Sequence, residues 1–134
     1  MDNELVTLQD SDRTVAAEDD IRGRTVRDAG GEEVGEVEGL LIDTTENKVR
    51  FLVVASGGFL GIGEHKSYIP VDAVTSVGDD EVRVDQSREH LAGAPTYDPE
   101  LINDQEYNQN VLDYYGYTPF WAAGYVYPAF PYYR

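Results

Sequence analysis

The sequence predicts a mainly β protein: a small, strongly bent antiparallel β-barrel followed by a short C-terminal helix and an aromatic tail. Three observations carry that expectation. Between residues 21 and 92, short runs rich in β-branched and aromatic residues alternate with Gly-containing turns at intervals of about eight to twelve residues. Glycines also fall inside the runs, where bulges and sharp curvature are built. No long helical pattern interrupts them.

Taken in order, residues 1–20 carry seven acids against Arg13 alone, with few apolar side chains. Such a stretch buries too little surface to offset its ordering entropy and reads as an arm that is mobile in a free monomer. Leu5, Val6 and Leu8 are its apolar exception and could add a short strand to a neighbouring copy's edge. The body, residues 21–92, begins with a strand at Arg24 to Asp28, turned by Gly30-Gly31. A second strand, Val34 to Asp43, contains Gly35 and Gly39 as candidate bulges. After the polar turn Thr44 to Asn47 comes the strongest strand, Lys48 to Ala55. Val49, Phe51 and Val53 lie on one of its faces and Leu52 and Val54 on the other, so it should be central and covered on both sides. Ser67 to Val71, Ala73 to Val77 and Glu81 to Asp85 complete six strands, the last two forming a hairpin across Gly78-Asp79-Asp80. Pro70 lacks an N–H and belongs at an edge or bulge.

Residues 93–116 read as linker and short helix. Ser87 to Leu91 offers a single capped turn just before it. The helix itself is expected to start at Asp98-Pro99-Glu100, to be short or broken across the polar middle Asn103 to Asn110, and to stop at Gly116. The tail, residues 117–134, is the most unusual part. From Tyr114 onwards ten of 21 residues are aromatic, and the only charge is Arg134. These ten, Tyr114, Tyr115, Tyr117, Phe120, Trp121, Tyr125, Tyr127, Phe130, Tyr132 and Tyr133, are the candidate partner-binding residues. Rings bury large areas with few rotors, and Tyr keeps a polar tip. Two placements are open: the strip folds back on its own barrel, or it docks on another copy or another protein.

Composition narrows the function. The chain has 134 residues, 26 acids against ten basic residues, a net charge of −16 and no cysteine. Disulfides, thiol nucleophiles and Cys-ligated zinc are excluded. So negative a body repels phosphate backbones and anionic lipid, which argues against nucleic acid as a partner. No apolar run is long enough for membrane insertion by a helix, and the acidic start has no secretory h-region, so a cytoplasmic location is expected.

Catalytic chemistry finds no foothold. His65 and His90 stand outside any zinc spacing, and there is no GxSxG elbow. The Gly57 to Gly63 run lacks a Lys-Ser/Thr ending and is followed by Glu64, so it is read as a loop tucking Phe59, Leu60 and Ile62 under the barrel rim. The acidic groups Glu32-Glu33, Glu36/Glu38 and Asp79 to Glu81 lack the spacing of a calcium loop. No catalytic, cofactor or metal residue is assigned.

Residues 21–85 resemble the PRC-barrel family. The matching pieces are Gly23, Val26 and Asp28; then Gly31, Val34, Gly35 and Val37; a strand ending Ile42-Asp43; the β-run Phe51 to Ala55; the Gly57 to Gly63 loop; and Ile69-Pro70-Val71 through Val74. The family takes its name from the cytoplasmic barrel of the photosynthetic reaction-centre H subunit. It also includes the C-terminal domain of a ribosome-maturation factor and small stand-alone proteins. The resemblance implies a bent barrel that acts by binding proteins, with no catalytic set to carry over. This chain departs from the H subunit in having no transmembrane helix before the barrel, and from the maturation factor in having no RNA-associated N-terminal domain. The expected function is a non-catalytic interaction and assembly module. It binds itself, as a dimer, higher assembly or polymer, or binds another protein. The alternative is a small-ligand or metal-ion site at the barrel mouth, in a stress- or photosynthesis-associated system, using Tyr68, His65 and nearby carboxylates.

Overall fold

A computed structural model describes residues 5–7, 21–46, 48–57, 64–98, 100–128 and 130. Its strands are β1 (Leu5–Thr7), β2 (Thr25–Arg27), β3 (Glu33–Asp43), β4 (Lys48–Gly57), β5 (Glu64–Pro70), β6 (Val74–Val77) and β7 (Glu81–Val84), followed by helices α1 (Arg88–Ala92) and α2 (Gln105–Tyr115). The fold is mainly β, as the sequence implies.

All seven strands form one sheet in the order β5-β4-β3-β2-β7-β6, with β1 beside β3. The long strand β3 is shared on one side: β2 pairs with its first half and β1 with its end, Leu5 opposite Asp43. The expected arm thus gives Leu5 and Val6 to its own sheet, while Leu8 lies outside the described residues. Leu5 is buried, and Asn103 clamps it by accepting its N–H at 2.7 Å and donating to its carbonyl at 3.1 Å. The rest of the 1–20 segment lies outside the described residues.

The ladders depart from the expectation in two ways. The β2–β7 pair is parallel, the others antiparallel. The hydrogen-bonded path is also open: among the described residues no ladder joins its end strands, β5 and β6. The path nevertheless cannot be flat. Its two end strands, β5 and β6, are joined by one three-residue 3-10 turn, Val71–Ala73. Four residue steps reach at most about 14 Å, whereas five interstrand spacings of a flat sheet need about 24 Å. Pairing shifts supply the bend: registers slip at Val26/Arg27 opposite Gly35, at Val37/Gly39, at Leu41/Ile42 and at Val74/Ser76.

The expected central strand is correct. β4 lies between β3 and β5, and every residue from Val49 to Val54 is buried. Pro70 ends the outermost strand, where a missing N–H costs no ladder bond. Ser87 caps α1, accepting the His90 N–H at 3.1 Å. The second helix corrects the sequence. It starts at Gln105, capped by Asp104, and runs unbroken to Gly116, whose φ of 84° reverses the chain. Asp98 instead makes a turn, taking the Glu100 N–H at 2.9 Å. Pro99 and residues 58–63 of the glycine loop lie outside the described residues. What keeps the polar middle helical is Asn108, buried on the same stripe as Val111, Leu112 and Tyr115. Its amide accepts from the Tyr68 hydroxyl at 2.9 Å and donates to the Ile102 carbonyl at 2.9 Å.

Candidate site: a caged arginine under the aromatic tail

Asp43, at the end of β3, begins the turn into β4. Its Oδ1 accepts the N–H groups of Thr45 at 2.7 Å and Glu46 at 3.3 Å, closing that turn. Its Oδ2 takes two bonds from Arg50, from Nε at 3.1 Å and Nη2 at 3.0 Å. Both side chains are withdrawn from water, Arg50 2% exposed and Asp43 0%. Arg50 Nη2 also reaches Glu46 Oε1 at 3.1 Å, and the Glu46 side chain is 52% exposed.

Arg50 is there because of a pairing irregularity. Leu41 pairs with Phe51 and Ile42 with Val49, which leaves Arg50 as the extra residue of a bulge. A bulge re-aims a side chain that strict alternation would send elsewhere. Phe120 accordingly meets both neighbours, lying edge-on to Phe51 at 6.1 Å and under the Arg50 guanidinium at 4.7 Å.

The tail closes over this charge. Tyr127 and Tyr125 stand 5.5 and 5.8 Å from the guanidinium carbon. Tyr127 donates its hydroxyl to the Val49 carbonyl at 3.1 Å, and Tyr125 donates to Asp72 Oδ2 at 2.8 Å. Burial raises the Asp72 carboxyl above its usual range, against the lowering pull of the Tyr125 hydroxyl and Arg50. Burial, then the Asp72 charge, pushes the Tyr125 phenol up. Between these groups lies a cavity of about 360 Å³, lined by Glu46, Arg50, Phe120, Trp121, Ala122, Gly124, Tyr125 and Tyr127.

Of the ten rings singled out, eight are described, and all eight pack on their own chain. Tyr115 and Phe130 are buried; Tyr114, Tyr117, Phe120, Trp121, Tyr125 and Tyr127 are half-buried. Tyr132 and Tyr133 lie outside the described residues. Tyr114 donates to the His90 carbonyl at 2.6 Å, while its own carbonyl meets His90 Nε2 at 3.1 Å and the two rings stack. Tyr117 donates to Asp85 and receives Gln86 Nε2 at 3.3 Å. The exposed residues of the described tail are thus Thr118, Ala123, Gly124 and Val126, the last 82% exposed.

Among the described residues the groups of the alternative ligand site are not brought together. Tyr68 is fully buried, stacked on Phe51 at 4.2 Å and bonded to Asn108, and burial holds its phenol protonated far above the usual range. Of His65 only the backbone is described. Among the described residues no group of three or more His, Asp or Glu could hold a metal ion. Two of the acidic clusters give members to ion pairs instead: Glu81 to Arg27 at 2.9 Å and Glu38 to Lys66 at 2.8 Å.

Sequence reasoning missed the Arg50 cage. The available signal was an arginine set between Val49 and Phe51 in a run apolar on both faces, seven residues after an Asp at a strand end.

Among known proteins, the family model described as PRC-barrel domain matches residues 14–91, more than half of the chain. The match starts seven residues before the expected body boundary and stops short of the tail. No curated protein matches the chain. Among the described residues no helix is long and apolar enough to cross a membrane.

Proposed function

The chain belongs to the PRC-barrel family, and on that footing we propose that it is a non-catalytic module that works by contact between polypeptides. The observation that carries this is the surface of residues 118–128. That segment has no charged residue on a chain of net charge −16, and it leaves Thr118, Ala123, Gly124 and Val126 exposed, the last the one exposed large apolar side chain among the described residues. A partner can cover it without desolvating ions. In this reading the contact is between copies, as a dimer or larger assembly, in the cytoplasm. Repulsion between two acidic bodies makes the assembly salt-dependent.

Deleting the tail is a poor test, because it would also uncover Arg50 and remove Phe120 and Phe130 from the core. Substituting Val126→Asp changes only the outer side. Light scattering of the full chain should give an assembled mass that increases with salt, and V126D should return it to the monomer. A wild-type chain that stays monomeric from micromolar to millimolar concentration, at low and high salt, overturns the self-association.

A further inference from the structure

We propose that the cavity over Arg50 is a receptor for a cationic side chain, an arginine or lysine presented by a basic partner. It rests on the protein-contact reading only in drawing that cation from a polypeptide.

A guanidinium on the floor suggests an anion site, and the charges around it argue the reverse. Asp43 takes two of the Arg50 hydrogen bonds through one oxygen and so neutralises it at contact distance. Glu46 stands beside it, half exposed, at the cavity wall. Asp72 lies behind Tyr125, held by its hydroxyl. Three carboxylates thus surround one guanidinium, within a chain of net charge −16. An entering anion meets a guanidinium already paired with carboxylates; an entering cation meets Glu46 and the rings of Trp121, Tyr125 and Tyr127 in the cavity wall. The cavity volume of about 360 Å³ accommodates a long basic side chain. The same acidic field would steer a basic partner towards the site.

Trp121 is the chain's only tryptophan and lines the cavity, so its fluorescence reads occupancy directly. The full chain is titrated with N-acetyl-arginine amide, and in parallel with N-acetyl-leucine amide and sodium acetate at matched ionic strength. The expected result is a saturable change with the arginine compound alone, weakened by added salt and about fivefold by Glu46→Gln. Glu46 is half exposed, and the amide oxygen of E46Q can still accept from Arg50 Nη2, which keeps its Asp43 bonds, so the variant retains the fold. No saturable response, an unchanged affinity in E46Q, or an equal response to leucine amide or acetate overturns the proposal. The two readings separate cleanly: a chain that assembles but ignores the arginine compound loses this site alone, and a monomer that binds it loses self-association alone.

Discussion

A full positive charge at 2% exposure is stable at Arg50 only because its hydrogen bonds and ring contacts replace water. Removing one partner leaves the other charge buried without compensation. Asp43→Ala should therefore cost about 3–5 kcal/mol in urea unfolding, far more than loss of a surface ion pair. A cost under about 1 kcal/mol would show that water reaches the guanidinium. Asp72 gives the opposite sign. Its folded-state pKa is raised, chiefly by burial, so its contribution favours folding below the unfolded value near 4 and turns into a penalty as pH rises through the folded value. Asp72→Asn keeps an acceptor for the Tyr125 hydroxyl and removes that penalty. The variant's melting temperature should move above wild type as pH goes from about 4 to 7; a pH-independent difference would contradict this. These residues were only half legible in sequence. An arginine within Lys48 to Ala55 was visible, but its direction depends on a bulge that strict strand alternation hides.

The existence of the six body strands was legible because the glycine punctuation and apolar runs are local signals. What escaped was decided by contacts distant in sequence. Leu5–Thr7 is a strand because Asn103, 98 residues away, brackets Leu5. The start of α2 moved to Gln105 because buried Asn108 finds partners in Tyr68 and Ile102, which no propensity scale contains. Asp28, by contrast, stood out in the family motif, and its work is joining elements. It accepts Gly30 and Glu32 N–H in its own turn at 2.9 and 2.8 Å, and the Arg88 N–H at the start of α1 at 3.0 Å. The Glu32 bond above all holds its carboxyl below the ordinary value. That contribution is present above a pH of about 4 and is lost as pH falls through the folded-state value. Asp28→Asn should lower the melting temperature at pH 7, with the gap narrowing in acid. A gap that widens in acid would assign the stabilising role to another group.

For the whole molecule, the net charge of −16 is a standing self-repulsion. Salt screens it, so sodium chloride raised from about 10 to 300 mM should raise the melting temperature even at dilutions where the chain is a monomer. A fall would mean that attractive pairs such as Arg27–Glu81 dominate instead. Composition made that repulsion plain. It could not say where the tail rests, since ten rings satisfy equally well a partner or the chain's own Val49 to Phe51.

One pairing has a consequence in time. β3, β4 and β5 meander along the chain, and β6 with β7 is a tight hairpin, so both units close short loops. The parallel β2–β7 ladder joins Thr25 to Glu81 and must wait until the intervening chain is gathered. Nucleation should therefore begin in the meander, and the docking of the hairpin onto β2 should come last. Val82→Ala is then expected to accelerate unfolding while scarcely slowing refolding, and Leu52→Ala to slow refolding. Stopped-flow measurements with those two effects exchanged would place the hairpin in the nucleus.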